Sequence, residues 1–222
     1  MGQKVKPSPS QCITVIEIGV KILKVLNSFG CERGMHMKAV VILGSRNPKG
    51  QTARAVDSLV DAMIGKGIQL EKFFLPVMKF ELCRQCEDTG WGICRSKGQC
   101  IIKDDFELVV DKLKKSDAVV FATPVYFSDL SESMKAFLDR LRRISMNESG
   151  QTGIKGKIAV GICVAGGGGG GSPGCLLNLE KVLGTCGFNV MDITPVRRQN
   201  ADLKANILKI TGEWLADCIL SK

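Results

Sequence analysis

The chain has 222 residues, of which 45% are hydrophobic and 24% charged, and this composition is typical of a single globular domain. Its net charge of +9 comes with only 5% aromatic residues, so the basic excess favours anionic small ligands over nucleic acid. No apolar run is long enough to span a membrane, and the single histidine, His36, excludes mechanisms that need two. Ten cysteines in a chain without a secretory signal indicate reduced thiols or cluster ligands, and hence a cytoplasmic protein.

Residues 1–37 differ in pattern from everything that follows, and we expect them to form an N-terminal extension. The segment from Cys12 to Leu26 is apolar, and its apolar residues recur at helical spacing, which predicts a short amphipathic helix. Charged residues inside this segment and the lack of a small-residue cleavage site argue against a signal peptide. The simplest interpretation is that the extension is dispensable, or that Met35 or Met37 is the true start.

From Met37 onward, runs of β-branched and apolar residues alternate with segments of helical periodicity. Strands are predicted at Lys38–Leu43, Ile68–Leu75, Asp117–Ala122, Lys157–Val164 and Phe188–Ile193. Helices are predicted at Gln51–Ile64, Asp104–Lys115, Ser131–Ile144, Cys175–Cys186 and Ala201–Leu220, with Ser131 as the N-cap of the third. Strands that are apolar throughout and alternate with helices predict a parallel sheet covered on both faces. Residues 38–222 therefore predict an α/β fold of the doubly wound, flavodoxin-like type, a five-stranded parallel sheet of order 2-1-3-4-5 in three αβα layers.

The loop after the first parallel strand suits a phosphate group. Ligands of such sheets bind at the carboxyl ends of the strands, and residues 44–52 (GSRNPKGQT) follow the first strand and open a helix. Their backbone N–H groups and hydroxyls are typical of phosphate sites. The loop lacks the terminal Gly-Lys-Ser/Thr of an ATP-hydrolysing loop, and an ordinary capped turn is the alternative.

The loops after the third and fourth strands suit a flat ring. Residues 123–128 carry the chain's one tyrosine, Tyr126, beside Phe127, although a proline turn with both rings folded into the core is the alternative. Residues 165–174 contain six consecutive glycines, which allow either close approach of the backbone to a flat ligand or a floppy loop. A G-x-S-x-G pattern around Ser172 has no downstream histidine, which excludes a hydrolase triad.

Four cysteines stand close together in an insertion at residues 80–102, as Cys83-x2-Cys86-x7-Cys94-x5-Cys100. Glycines and basic residues around them favour thiolates on one short loop. The pattern indicates an iron–sulfur cluster, with zinc, free thiols or a redox pair as alternatives. The other six cysteines are isolated, and most are predicted to be small buried hydrophobic residues.

Residues 44–52, residues 100–140 and the glycine-rich loop together resemble the NADPH-dependent FMN reductase and iron–sulfur flavoprotein branch of the flavodoxin-like superfamily. The resemblance implies that the first block binds the FMN phosphate and that the other two loops flank the isoalloxazine. The residues that it assigns to FMN are Ser45, Arg46, Asn47, Gly50, Gln51, Thr52, Pro124, Val125, Tyr126, Phe127, Ser128, Gly166, Gly167 and Gly168. It also implies a [4Fe–4S] cluster on Cys83, Cys86, Cys94 and Cys100, although the family's cysteines are more closely spaced.

The resemblance implies an FMN-dependent NAD(P)H oxidoreductase that passes electrons to free flavin, a quinone or another small acceptor. Hydride transfer between stacked rings needs no catalytic side chain, which agrees with a chain that offers no acid–base pair. The alternatives are an electron-transfer iron–sulfur flavoprotein without a nicotinamide site and a cysteine-based redox or metal sensor. Because the three loops of one domain leave one flavin face open, we expect a homodimer or homotetramer in which the cysteine segment and Trp91 reach the flavin of a second subunit.

Overall fold

One seven-stranded sheet organises the computed structural model, which describes residues 13–18, 22–27 and 37–221. The strands are β1 (Ile13–Ile18), β2 (Ile22–Asn27), β3 (Lys38–Leu43), β4 (Gln69–Phe74), β5 (Ala118–Pro124), β6 (Ile158–Ala165) and β7 (Asn189–Arg197). The α-helices are α1 (Gln51–Gly65), α2 (Ile93–Lys97), α3 (Phe106–Lys114), α4 (Glu132–Ser145), α5 (Ser172–Cys186) and α6 (Ala201–Leu220). Short 3-10 turns occupy Leu75–Val77 and Arg198–Asn200.

The five strands from β3 to β7 confirm the predicted parallel sheet. They lie side by side as β4-β3-β5-β6-β7, which is the order 2-1-3-4-5 when these strands alone are numbered. β3 is central, and its Ala39 pairs with Leu70 of β4 on one side and Ala118 of β5 on the other. The carboxyl ends of β3, β5 and β6 therefore meet at one edge of the sheet, where this fold binds its ligands.

The helix predicted between Cys12 and Leu26 is wrong. β1 and β2 pair with each other in antiparallel register, and β2 continues the sheet by pairing antiparallel with β4. A short apolar run satisfies both helical and strand spacing, so its periodicity cannot distinguish the two. The segment Ile13–Ile18 is rich in β-branched residues, and the unpaired edge of β4 supplies the backbone partners that a strand requires.

Helices cover both faces of the parallel strands, and each face has its own hydrophobic core. Side chains of α1 and α6 pack against Val41 and Leu43 on one face, while those of α3, α4 and α5 pack against Val40 and Ile42 on the other. This alternation along β3 is what the buried, two-sided strand pattern predicts. Among the described helices, none is both long and apolar enough to cross a membrane.

The helix after the glycine-rich loop begins three residues earlier than the sequence predicts. α5 starts at Ser172 because Gly171 adopts a left-handed conformation (φ +78°) as its N-cap, and Pro173 lies in the first turn, where a missing N–H costs nothing. Ser131 caps α4 as predicted, and its Oγ accepts a hydrogen bond from the Met134 amide at 3.4 Å. Both helices therefore begin at the ligand edge of the sheet.

Two glycines inside helices should respond to alanine in opposite directions. A Cβ at Gly212 of α6 would lie 2.4 Å from the Leu59 carbonyl oxygen of α1, whereas a Cβ at Gly184 of α5 meets nothing within 4 Å. We expect Gly212→Ala to lower the free energy of unfolding by about 1–3 kcal/mol through overpacking. Gly184→Ala should raise it by about 0.5–1 kcal/mol because alanine restricts the unfolded chain. Urea unfolding measures both, and equal effects of the two substitutions would contradict the close packing of α1 on α6.

Candidate functional site

Three loops converge at the carboxyl edge of the sheet through close backbone contacts. The Gly44 amide, directly after β3, donates to the Ala122 carbonyl of β5 at 2.8 Å, and a Cβ at Gly44 would lie 2.4 Å from Ser131 Oγ. A Cβ at Gly166, directly after β6, would lie 2.9 Å from Gln51 Oε1 at the start of α1. The loops after β3, β5 and β6 are thus in mutual contact, as the sequence predicts.

The loop after β3 is held in shape by its own hydrogen bonds. The Asn47 side chain accepts from the Lys49 amide at 2.9 Å, and the Asn47 carbonyl accepts from the Gly50 amide at 3.0 Å. Gly50 is the N-cap of α1, so the first-turn N–H groups have no partner within the helix. Thr52 is buried, whereas Arg46 is exposed. The arrangement is a preformed cradle for an anion at a helix N-terminus.

Arg54 braces this cradle, although its sequence pattern does not single it out. Its Nε donates to the Lys49 carbonyl at 3.0 Å, and its own amide bonds the Gly50 carbonyl at 3.0 Å. An arginine one turn into a helix is ordinary surface composition, and only the folded loop reveals the contact.

Buried hydroxyls lie beneath the meeting point of the loops. Thr123 and Ser131 are almost fully buried, their side-chain oxygens are 3.3 Å apart, and the Ser131 amide donates to Thr123 Oγ1 at 3.1 Å. Ser133 donates to the Gly44 carbonyl at 3.4 Å. This network joins the end of β3 to the start of α4, and it explains why residue 44 has no room for a side chain.

The loop after β5 exposes an aromatic ring to solvent, and its turn requires an unfavourable left-handed backbone conformation. Tyr126 and Asp129 exchange backbone hydrogen bonds of 2.9 Å around a two-residue turn, in which Phe127 (φ +48°) and Ser128 (φ +67°) are both left-handed. Turns of this kind normally carry Asn-Gly, and each non-glycine residue there costs about 1–2 kcal/mol. Phe127 is fully exposed and Tyr126 is 48% exposed, so the alternative that both rings fold into the core is wrong.

Contacts from α4 and α5 hold the strained turn in place. Cβ atoms at Gly171 and Gly174 would lie 2.8 Å and 2.7 Å from Ser128 Oγ and the Ser128 carbonyl oxygen, so only glycines admit the turn. The Asp129 carboxylate accepts bonds from Lys135, from the Leu130 amide and from Asn178. The Lys135 bond in particular holds the pKa of Asp129 below its usual value. Strain that the surroundings maintain in this way is typical of functional sites.

The glycine-rich loop is fixed by one side-chain hydrogen bond, and part of its backbone has free space around it. Gln199 donates to the Gly168 carbonyl at 3.2 Å, and a Cβ at Gly169 would lie 2.6 Å from Gln199 Oε1. At Gly167 and Gly168 nothing stands within 4 Å of where a Cβ would be. A flat ligand can therefore approach this backbone closely, and one anchored carbonyl limits the loop's freedom.

The four clustered cysteines line a second, separate cavity. Cys83, Cys86, Cys94 and Cys100 surround it, and three cationic side chains, Arg84, Arg140 and Arg143, complete its wall. All four thiols are half-buried and in the free form. In the described part of the chain, no group of three or more Cys, His, Asp or Glu side chains is arranged to hold a metal ion. The thiols thus share one cavity but are not at ligand positions.

Arg140 of α4 forms the floor of this cavity. It is 1% exposed, and its guanidinium pairs with the Asp104 carboxylate at 2.6 Å and 3.0 Å while Nη2 donates to Cys100 Sγ at 3.4 Å. Burial alone raises the pKa of Asp104, but the Arg140 bond and backbone N–H bonds bring it below its usual value. Arg140 Nε is buried and has no hydrogen-bond partner among the described residues. A buried guanidinium that contacts one of four clustered thiols and keeps one N–H unpaired fits an anionic group such as an iron–sulfur cluster with its sulfides.

Trp91 stacks on Arg143, one of the residues that line the cysteine cavity. Its ring lies 4.2 Å from the Arg143 guanidinium carbon and 5.6 Å from that of Arg95, and Arg143 also donates to the Gly90 carbonyl. Arg143 stands twelve residues beyond Ser131, which is about 18 Å along the axis of α4. Trp91 therefore lies far along α4 from the loops of its own subunit.

The structure separates the predicted site residues into two groups. The loop residues from positions 45–52, 124–128 and 166–168 meet at one edge of the sheet, and the four cysteines meet in the other cavity. Sequence reasoning missed the residues that hold these groups in place. They are Arg54, Thr123, Asp129, Arg140 and Gln199.

Comparisons with known proteins agree with this geometry. The family model for NADPH-dependent FMN reductase matches residues 37–199. An iron–sulfur flavoprotein of Archaeoglobus fulgidus is 35% identical over 105 residues, covering 47% of this chain and 46% of the relative. Another, of Methanocaldococcus jannaschii, is 30% identical over 131 residues, covering 59% of this chain and 65% of the relative. The chain thus spans between about half and two thirds of these relatives.

Solved structures show the same fold. An NAD(P)H:quinone oxidoreductase from Methanothermobacter marburgensis superposes with a TM-score of 0.60 at 17% identity, over 82% of this chain and all of the other. At this identity the likeness establishes the fold alone, and the chemistry has to be argued from the site residues.

Removing two hydroxyls from the cradle should weaken FMN binding through its phosphate. Hydrogen bonds to charged groups contribute about 1.5–3 kcal/mol each, so Ser45→Ala combined with Thr52→Ala should reduce FMN affinity at least about tenfold. Riboflavin, which lacks the phosphate, should be affected much less. Fluorescence titration of both ligands measures the difference, and an equal loss for both would place the phosphate elsewhere.

Truncating Arg140 should destabilise the protein far more than truncating its neighbour Arg142. Arg140→Ala leaves the buried Asp104 carboxylate uncompensated, which costs about 3–5 kcal/mol of unfolding free energy. Arg142 makes a partly exposed pair with Asp139 at 3.7 Å, so Arg142→Ala should cost less than about 1 kcal/mol. Urea unfolding of the two variants measures this, and alkylation of Cys100 should become faster in Arg140→Ala alone. Similar stability of the two variants would contradict the buried pairing.

Proposed function

The chain belongs to the NADPH-dependent FMN reductase family, and on this premise we propose that it is an FMN-dependent oxidoreductase whose flavin exchanges electrons with an iron–sulfur cluster held by Cys83, Cys86, Cys94 and Cys100. The observation that carries the proposal is the shared cavity of the four thiols, with the buried guanidinium of Arg140 in contact with one of them, Cys100. The names of the two archaeal relatives, both iron–sulfur flavoproteins, support it.

FMN binds with its phosphate in the cradle at residues 45–52. The first-turn N–H groups of α1 and the hydroxyls of Ser45 and Thr52 donate to the phosphate, and Asn47 and Gly50 keep the loop in shape. Gln51 joins this loop to Gly166. Arg46 is exposed beside the cradle and adds positive charge to it.

The isoalloxazine ring lies between the turn at residues 124–128 and the backbone of Gly166, Gly167 and Gly168. Phe127 supplies an apolar wall for the ring, and the strained turn places that side chain outside the core in advance. Open backbone at Gly167 and Gly168 allows the opposite edge of the ring to approach closely. These residues bind and orient the cofactor, which supplies the redox chemistry itself.

The cysteine cavity brings together four thiols, which would have to move to ligand positions to hold a cluster, and three arginines beside them. A [4Fe–4S] cluster carries one electron at a time, so beside a flavin it links one-electron and two-electron chemistry. Arg84, Arg140 and Arg143 stabilise the negative charge of a thiolate-ligated cluster. Arg140 in addition positions Cys100 through its 3.4 Å contact.

NAD(P)H is the electron donor that the family's description favours, with a small acceptor such as free flavin or a quinone. The exposed aromatic turn offers a surface on which a nicotinamide ring can stack against the flavin. An electron-transfer role with a reduced protein as donor is the second candidate, and the iron–sulfur relatives favour it.

The two redox sites of one subunit lie far apart along α4, which favours a dimer. The cysteine cavity sits at the level of Arg140 and Arg143, about 13–18 Å from Ser131 along the helix. We therefore place the cysteine segment of one subunit, including Trp91, at the open flavin face of a second subunit. A homodimer or homotetramer completes each flavin site in this arrangement.

Replacing one cavity cysteine should remove iron and leave FMN bound. We expect anaerobically purified protein to contain FMN, iron and sulfide, and Cys86→Ser to lose iron and sulfide only. Cys218→Ser, in α6 outside the cavity, is the matched control and should keep all three. Metal and sulfide analysis with absorption spectra measures the result. Zinc in place of iron in the wild-type protein would overturn the assignment of an iron–sulfur cluster. Wild-type protein without any metal would also overturn it and would favour a thiol sensor.

Replacing Trp91 should impair turnover more than flavin binding. Trp91→Ala leaves the cradle untouched, so FMN affinity should stay within about twofold while NAD(P)H oxidation falls at least about tenfold. Stopped-flow reduction of the FMN at 450 nm reports the reaction, and sedimentation reports the oligomer. A monomer that is fully active at nanomolar concentration would contradict the shared site. Absence of reduction by either nicotinamide, with ready reduction by a reduced ferredoxin, would favour the electron-transfer role.

A further inference from the structure

Two cysteines outside the four-cysteine cavity are in direct contact in the core. Cys163 of β6 and Cys175 in the first turn of α5 are both fully buried, and their Sγ atoms are 3.3 Å apart. The glycine-rich loop is the segment that connects them. The sequence predicts two isolated small core residues here, because the contact depends on how α5 folds back over β6.

The pair lies directly beneath the loops that surround the flavin. Cys163 is in register with Thr123, the buried hydroxyl residue of β5. Cys175 follows Gly174, whose backbone packs against the strained turn at Ser128. A covalent change at these sulfurs therefore reaches both the glycine-rich loop and the aromatic turn.

The environment distinguishes the two thiols. The hydrogen bond with Cys175, together with burial, raises the pKa of Cys163, and the same hydrogen bond lowers the pKa of Cys175. The N-terminal turn of a helix also favours a thiolate. Because Cys175 lies in the first turn of α5, it is the sulfur better placed to form the thiolate that attacks an oxidant.

We propose that Cys163 and Cys175 form a reversible disulfide, with hydrogen peroxide as the oxidant, that fastens the start of α5 to β6 and fixes the glycine-rich loop. The Cys175 thiolate attacks one peroxide oxygen and breaks the O–O bond, which gives a sulfenic acid and, after protonation, one water. The Cys163 sulfur then attacks the sulfenic sulfur, its proton leaves with the hydroxyl group as a second water, and the S–S bond forms. Two thiols are oxidised and one peroxide is reduced to two waters.

Little movement is needed to close this bond. A disulfide requires the sulfurs to approach by about 1.2 Å from their 3.3 Å separation. The six glycines between the strand and the helix allow the first turn of α5 to shift by that amount. A thiol reductant reverses the reaction by exchange at the same sulfurs.

Trypsin isolates this pair in one peptide. Residues 158–181 contain Cys163 and Cys175 with no other cysteine, and they contain no lysine or arginine before Lys181. After treatment of the intact holoprotein with hydrogen peroxide, this peptide should be lighter by two hydrogen atoms and should resist alkylation until it is reduced. A peptide that takes up two alkyl groups at every peroxide dose, or that carries a sulfinic acid in place of the bond, would overturn the proposal.

Two single variants separate the pair from general thiol oxidation. In Cys163→Ala, peroxide should leave Cys175 able to react with a sulfenic-acid probe, with no bond formed in this peptide. Cys186→Ala, at the far end of α5, is the control and should form the disulfide as the wild-type protein does. The pairing is supported if peroxide produces the disulfide in Cys186→Ala and sulfenic acid at Cys175 in Cys163→Ala. Any other combination of results contradicts it.

The effect on the loop is measured by FMN release. Oxidised wild-type protein should release FMN at least about threefold more slowly than reduced protein, and peroxide should not change the rate in Cys163→Ala. Equal release rates for the oxidised and reduced wild-type forms would overturn the link to the glycine-rich loop.

Discussion

The buried pairing of Arg140 with Asp104 holds the whole cysteine segment against the domain. One guanidinium bonds the Glu81 carbonyl where the segment begins, and it bonds Cys100 and Asp104 where the segment ends. Between these points the chain runs through four cysteines with only one short helix of its own. A charge buried in this way is stable only while its partner is present, so both ends of the segment depend on this pair, while Arg143 and Glu148 contact its middle.

The three loops at the carboxyl edge of the sheet depend instead on the absence of side chains. At Gly44, Gly171 and Gly174 a Cβ would collide with Ser131 or Ser128, so glycine is required for the loops to touch. Phe127 and Ser128 accept left-handed backbone in return, and their strained turn is supported by α4 and α5. The result is a site whose aromatic wall is already in position before any ring binds, which reduces the ordering cost of binding.

Helix α4 contacts the three loops at its N-terminal end and the cysteine cavity near its other end, so its length separates the two sites. Its N-terminal end carries the hydroxyl network under the flavin loops, and Arg140 and Arg143 near its other end carry the cysteine cavity. A rigid helix between the two sites makes transfer within one subunit a long path. The proposed dimer resolves this by bringing the cavity of one subunit to the flavin face of another. The thiols Cys163 and Cys175, in β6 and α5 beneath these loops, form the redox pair proposed above.

The alternation of buried strands and amphipathic helices was enough to predict a parallel sheet covered on both faces, because hydrophobic periodicity records which faces of each element are covered. The strand order followed from the doubly wound fold that five such strands fit, and the structure confirms it. Loop composition likewise indicated an anion-binding loop at residues 44–52 and a four-cysteine segment, because backbone N–H groups and hydroxyls suit phosphate and closely spaced thiols suit a metal or cluster. The extension at residues 12–26 was predicted wrongly, because pairing with the free edge of β4 overrides local periodicity. Tertiary structure alone decided which side chains hold the sites together. Arg140 contacts Cys100, Arg54 bonds the Lys49 carbonyl and Cys163 contacts Cys175, and each contact joins segments far apart in the chain or folded back on each other. No local pattern records such contacts, because they arise only when packed elements bring those residues within reach.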